Sequence, residues 1–279
     1  MKTRVITCVL LLAAASSTSA IDMVSSRALG QGRTVSFRES TPTELLVVPT
    51  GALVNRQWKI EAGFDRRYEL SDFDQFFLAG AYRRGILTVA LGLSQMGGTD
   101  LYREQIARMM TSIRYRWFSG GLILSGKQVD ITGGYDQLRA HAFGFGASWR
   151  SRYLLLGATF DNLNKPTLYE GAVPDNPVYS GYAEVVGHRS FSFTGRVTFE
   201  ETKEAQFALG QRIALGEYST FFWGLGTRPV EYGAGVELRI GEHTFTYAAS
   251  YHPTLGLSFT VTLGTGGGSP KKQEPDSFD

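Results

Sequence analysis

The chain has 279 residues, a formal net charge of +2 and one cysteine, with 33 glycines and 13% aromatic residues. So small a net charge argues against the broad basic surface of a nucleic-acid-binding protein, and a lone cysteine excludes a disulfide framework or a cysteine-built metal site. Proline is scarce, at 9 residues, and long runs of helix formers are missing, so the composition points to one β domain with small residues on one strand face and rings on the other.

Residues 1–20 read as an export signal. Lys2 and Arg4 precede an apolar run from Val5 to Ala15, and the small residues Ser16 to Ala20 offer a cleavage site. That run is too short for a transmembrane helix, which needs about 20 apolar residues. Cleavage would remove Cys8 and leave 26 basic against 26 acidic residues. Export without disulfides suits a Gram-negative outer membrane. Residues 21–55 lack regular alternation and carry Gly30, Gly32, Pro42, Pro49 and Gly51. They are predicted to form a hatch inside the domain that follows, the alternative being a periplasmic leader without fixed structure.

From Trp58 onward the sequence alternates with period two. Val230, Tyr232, Ala234, Val236, Leu238 and Ile240 are apolar or aromatic, with Glu231, Gly233, Gly235, Glu237 and Arg239 between them. Fourteen such segments are predicted, near 57–69, 74–83, 85–95, 106–118, 120–128, 136–149, 152–163, 178–187, 189–200, 204–214, 217–226, 229–240, 243–251 and 254–264. A length of about ten residues suits a tilted strand crossing hydrocarbon. Tight turns follow the even strands, at Arg83-Arg84-Gly85, Ser119-Gly120, Arg150-Ser151, Gly187-His188, Leu215-Gly216 and Gly241-Glu242, while the longest connections follow odd strands. Short turns on one rim, longer loops on the other and an even strand number define an all-β, transmembrane antiparallel barrel over residues 56–264, with a flexible tail at 265–279. A soluble β-sandwich alternates too, but its outward faces are polar. Trp58, Tyr115, Trp117, Trp149, Tyr153, Tyr218 and Trp223 are predicted to form interfacial girdles. On this reading Val236→Arg, on the lipid side, blocks assembly, and Gly235→Ser, on the water side, is tolerated.

Ser26-Arg27-Ala28-Leu29-Gly30-Gln31-Gly32 resembles the Ala-Arg-Ala-Leu-Gly-Met-Gly opening of barrels of the PorV/PorQ type, relatives of the FadL fatty-acid transporters. Val48-Pro49-Thr50-Gly51-Ala52-Leu53 stands where that group has Asn-Pro-Ala-Gly-Leu, without the Asn. Tyr251-His252-Pro253-Thr254-Leu255-Gly256 resembles the group's entry to the last strand, although Ser258-Phe259 replaces its usual Thr-His. The resemblance implies a fourteen-strand barrel with an N-terminal hatch, in which Leu29, Gly30, Gly32 and Pro49 take part. It also implies either uptake of apolar small molecules or a docking role for a secretion or surface-attachment partner.

Catalytic and metal chemistry find no pattern. No Gly-x-Ser-x-Gly elbow, His-Glu-x-x-His or acidic calcium loop occurs, and His141, His188, His243 and His252 fall on scattered strands and rims. Asp161-Asn162-Leu163-Asn164 reads as a polar loop start. Within the lumen, Arg114, Arg116, Arg196, Arg212, Glu231, Glu237 and Arg239 either line a path for an amphipathic ligand or pair across the wall. The expected protein is therefore no enzyme and takes no cofactor. It contacts outer-membrane lipid and, depending on the reading, a hydrophobic small molecule or an envelope protein.

Overall fold

A computed structural model describes residues 25–37, 40–49, 56–98, 102–131, 137–168, 172–188 and 190–268. The predicted signal at 1–20, residues 21–24, 38–39 and 50–55 of the predicted hatch, and residues 269–279 of the predicted tail lie outside them. Fourteen strands form: β1 (Trp58–Arg66), β2 (Asp74–Arg84), β3 (Leu87–Met96), β4 (Tyr102–Tyr115) and β5 (Phe118–Ile131). They continue with β6 (Leu138–Arg150), β7 (Leu154–Asp161), β8 (Val178–His188), β9 (Phe191–Glu200) and β10 (Lys203–Ala214). The last are β11 (Ser219–Gly226), β12 (Glu231–Ile240), β13 (His243–His252) and β14 (Gly256–Gly267). Each pairs antiparallel with its sequence neighbour, and β14 closes on β1 in the register Trp58↔Gly267 and Phe64↔Val261. Closure satisfies every strand edge, which is the condition for a sheet in hydrocarbon.

The alternation sorts side chains as the sequence predicts. On β12, Tyr232, Ala234, Leu238 and Ile240 are exposed, while Glu231, Gly233 and Glu237 are buried. The outward residues include Phe76 at 61% exposure, Leu91 at 58%, Leu93 at 60% and Leu122 at 60%. Apolar exposure on that scale, continuous around a barrel, is stable only against lipid. Trp223 departs from the predicted girdle. It sits within β11, and its indole N–H donates to Gln211 Oε1 at 2.7 Å, satisfying a polar side chain on the lipid face.

The strand ends differ from expectation in several places: β4 begins at Tyr102 rather than 106, and the β2–β3 turn falls at Gly85-Ile86 rather than Arg83-Arg84-Gly85. The turn between β4 and β5 is Arg116-Trp117, with Tyr115 paired to Phe118, rather than Ser119-Gly120. Arg116 adopts φ 51°, and the glycines that looked like turn residues lie within β5. At the C-terminal end, β14 runs on to Gly267 against Trp58, so residues 265–267 belong to the wall and not to the tail.

Residues 25–49 hold a short helix α1 (Ser26–Gly30), capped by the Ser25 side chain, and a second, α2 (Pro42–Val47). In α2, Thr41 and Glu44 form a reciprocal capping box, and Pro42 begins the first turn. Most of this segment is buried against the inner face of the barrel.

One mutational expectation changes here. A Cβ on Gly235 would lie 2.4 Å from the Phe222 ring and 2.5 Å from the Tyr247 carbonyl oxygen, so Gly235→Ser is disruptive rather than tolerated. Val236→Arg on the lipid face keeps its predicted cost of about 2–4 kcal/mol. Refolding yields in detergent should fall for both, whereas normal assembly of the Val236→Arg protein would contradict the assignment of faces.

Candidate functional site

The inner face and the N-terminal segment make one surface. The segment passes the strands in turn: Ser26 Oγ bonds to Thr260 on β14 at 3.0 Å, and Arg27 pairs with Glu237 on β12. Arg33 Nε meets Glu231 Oε2 at 2.7 Å. Thr34 Oγ1 lies 2.7 Å from Thr194 on β9, and the Phe37 amide donates to Glu184 on β8 at 2.8 Å. Pro49 reaches β5 and β6, α2 contacts β1 to β4, and the Thr43 amide donates to Glu61 on β1 at 2.7 Å. Glu61, Glu184, Glu231 and Glu237 of the wall thus take donors from the segment, whereas buried Glu104 is served within the wall by Lys127 and Tyr102.

The barrel makes room for this backbone with glycine. A Cβ on Gly224 would fall 2.2 Å from the Gln31 carbonyl carbon, one on Gly233 2.5 Å from the Leu29 oxygen, and one on Gly121 2.4 Å from the Pro49 oxygen. Gly157 admits the Phe37 ring and Gly210 admits Thr34 in the same way. These glycines were legible as inner-face positions. That they mark the level at which the segment passes was not.

The lumen is also less hydrophilic than predicted. Leu45 and Leu46 of α2 pack with Phe77, Ala79, Ala90, Met110 and Ile123 of the inner wall. Ala28, Val35, Phe37 and Val48 pack with Leu155, Tyr182 and Val186, the Phe37 and Tyr182 rings meeting edge to face at 5.4 Å. A segment held inside needs an apolar core as any domain does. The continuous run Phe76-Phe77-Leu78-Ala79-Gly80-Ala81-Tyr82 was the available signal, since a strand buried on both faces loses its alternation.

The predicted lumen residues separate into groups. Glu231 and Glu237 are buried on β12, but their main partners are Arg33 and Arg27 of the segment, which sequence reading did not single out. Arg239 lies 3.3 Å from Glu237, and Arg212 acts on the same carboxylate. Arg196 is half-buried on the inner face of β9. Arg114 stands at the turn-side rim, far from Glu231 at the opposite end of β12. Arg116 is no wall residue: it is exposed in the β4–β5 turn, its guanidinium 5.4 Å from the Tyr115 ring. Of the residues expected in a hatch, Leu29 and Gly30 lie against Gly233 and Phe222, Gly32 (φ 64°) against Leu225, and Pro49 against Gly121 and Gly146.

The histidines and the polar loop have local tasks. His252 Nδ1 accepts from the Thr254 and Leu255 amides at 3.1 and 3.0 Å, and Gly256 takes φ 96°, which gives the His-Pro-Thr-Leu-Gly stretch its turn. Asn164 accepts from the Phe143 amide and donates to the His141 carbonyl, continuing the β6 edge beyond β7. His141 is exposed on the lipid side, and His243 is exposed at the start of β13.

Between the segment and the turn-side ends of β1 and β12 to β14 lies a cavity of about 320 Å³, lined among others by Arg27, Lys59, Glu61, Glu237 and Arg239. Glu44 lies buried near this cluster. Its Oε2 accepts from the Thr41 amide and faces Arg27 Nη1 at 3.6 Å, while Oε1 has no hydrogen-bond partner among the described residues. Burial pushes its pKa up to about 7, against the opposing pull of Arg27, and the nearby Glu61 and Glu237 add to the rise. The docked segment therefore favours the neutral acid. Docking is fully supported below the ordinary value of 4.5 and weakens as pH rises through about 7. Trypsin cleavage within 25–49, normalised at each pH to an unstructured peptide substrate, should accelerate across that interval more steeply in the parent chain than in Glu44→Gln. An equal pH response in both would contradict this.

The fold has counterparts among solved structures. The toluene transporter TbuX of Ralstonia pickettii matches with a TM-score of 0.67 at 10% identity, over 88% of this chain and 99% of that one. The toluene transporter TodX of Pseudomonas putida matches at 0.62 and 9% identity, over 88% and 97%. A deltaS2S3 mutant of TodX, described as a monoaromatic hydrocarbon channel, matches at 0.67 and 9%, over 88% and 100%. By sequence, no family model and no curated protein matches this chain. At such identities the likeness bears on architecture: the chain folds as a closed, transmembrane fourteen-strand barrel similar to those of the toluene transporters.

Proposed function

We propose that this protein sits in an outer membrane and passes small apolar or amphipathic solutes, with residues 25–49 as a movable hatch, and that it acts by passage rather than catalysis. One observation supports the reading: the described part of the N-terminal segment lies against the inner wall, held by side chains and admitted by glycines, in a barrel similar in fold to the toluene transporters. A wall closed by a continuous backbone ladder, with an interior segment seated by side-chain contacts, is what a gated passage requires. The turn rim, where β1 begins and β14 ends, is assigned to the periplasm.

On the loop side of the segment, Met96, Ile106, Val129 and Ala140 share the inner face of β3 to β6 with the Lys127–Glu104 ion pair, so the entry surface is amphipathic. Beyond the segment the solute meets the polar cavity around Arg27 and Lys59, which favours release into water. Initial uptake of labelled toluene by cells carrying the protein should exceed that of cells carrying an unrelated barrel by several-fold. Equal uptake, with the folded barrel present in the outer membrane, would overturn the proposal.

A further inference from the structure

A second surface lies outside the lumen, at the turn rim. On β4 to β7 the outward-facing Gly120, Ala147 and Ala158 are paired side by side across three adjacent strands. Phe118, Trp149 and Leu156 form the next row toward the turns, in the same register. Small residues behind a ledge of large ones leave a depression of about 700 Å³ in the apolar band, walled further by Ile113 and Tyr115. The space is genuinely open at Gly120, where an added Cβ would meet nothing nearer than 3.8 Å.

The turns below this depression are rich in arginine. Arg83 and Arg84, Arg114 and Arg116, and Arg150 and Arg152 flank three consecutive hairpin turns, and no Asp or Glu occurs in 75–99, 105–129 or 137–160. The turns are stitched together, since the Arg114 amide donates to the Ile86 carbonyl and the Arg150 amide to the Trp117 carbonyl, both at 2.9 Å. Arg116 and Arg152 are exposed, each lying over its neighbouring ring, Tyr115 at 5.4 Å and Tyr153 at 5.2 Å. The opposite arc of the same rim carries Glu217 and Glu242. That arc sets its carboxylates beside Arg56 and Arg239, so the excess of positive charge lies on the side of the depression.

We propose that this arc is a binding site for an anionic phospholipid of the adjoining leaflet. An acyl chain lies in the depression behind Phe118 and Trp149, and the phosphate is held by Arg116 and Arg152. Arginine recognises phosphate through paired N–H donors, and the depression lies within the band that meets hydrocarbon, where an acyl chain and not a water-soluble partner is the neighbour. The inference rests on the orientation given above, which makes this leaflet a phospholipid one.

Trp149 provides the readout. Two single-tryptophan proteins are reconstituted in phosphatidylcholine nanodiscs, one retaining Trp149 and the other Trp223 on the far arc, the remaining tryptophans being replaced by phenylalanine. Each is titrated with acyl-brominated phosphatidylglycerol or acyl-brominated phosphatidylcholine as quencher. Trp149 should be quenched by the anionic lipid at about tenfold lower mole fraction than by the zwitterionic one, and Trp223 equally by both. Arg116→Gln with Arg152→Gln should abolish the preference at Trp149, and Gly120→Leu should reduce quenching there by either lipid. Equal quenching of Trp149 by the two lipids, or the same preference at Trp223, overturns the site. If brominated phosphatidylcholine quenches neither tryptophan, the membrane placement itself is wrong. Should the arginine variant fail to assemble, the comparison of Trp149 with Trp223 in otherwise unaltered protein still decides.

Discussion

Replacing Arg27 with methionine will release the N-terminal segment while leaving the barrel assembled. Arg27 is 4% exposed and pairs with Glu237 while facing Glu44 at 3.6 Å. Removing the cation leaves Glu237 with only Arg239 and Arg212; breaking a fully buried pair costs about 3–5 kcal/mol, and the remaining arginines and the adjoining cavity place this loss toward or below the low end. Displacement of the segment lets water in and relieves that cost, whereas the strand ladders contain no part of Arg27. Limited proteolysis should then cut within residues 25–49 while the protein still migrates as a folded barrel in unboiled samples. Adding Glu237→Gln should restore much of the protection, because the two substitutions are coupled through one contact. Protection unchanged in the single variant would mean that the ion pair does not hold the segment.

Gly224→Val should have an effect of similar size by a different route. The new side chain would start 2.2 Å from the Gln31 carbonyl carbon and 2.6 Å from the Gly32 nitrogen. Overpacking against side chains costs about 1–3 kcal/mol when they can turn aside. Here the obstacle is backbone, so the segment must lift from the wall along this stretch. Gly80→Val is the matched control, because Gly80 belongs to the lipid-facing series of β2 and its nearest contact would be 3.7 Å away. The control should assemble and protect residues 25–49 as the parent does. If Gly224→Val also protects them fully, the glycine level is not the seat of the segment.

How much of this was legible in the sequence follows from what each signal measures. Period-two alternation reports which face meets lipid, and it placed every strand because the outward series, such as Tyr232 to Ile240, is uninterrupted. It says little about what touches the inward series. The inner wall was therefore expected to be wet, although Phe77, Met110 and Ile123 already broke the pattern in favour of a core. Turn chemistry misled at Ser119-Gly120, since glycine there and at Gly121 serves an outer depression and a close approach by Pro49 rather than a reversal of the chain. Glu231 and Glu237 were found by their charge on inward positions, but Arg27 and Arg33 lie in a segment without periodicity, and nothing local ties them to β12. The motif resemblance to PorV/PorQ barrels stands on its short motifs, and the likeness to the toluene transporters gives no support to the docking alternative.

Ion conductance in a planar bilayer bears most directly on the hatch. The intact chain should stay closed or nearly so at pH 5, where docking is best supported, and the same chain lacking residues 25–49 should form a steady open pore once its assembly is verified by its heat-dependent gel migration. Indistinguishable conductance from the two assembled proteins would contradict the account, because residues 25–49 would then occupy the lumen without closing it.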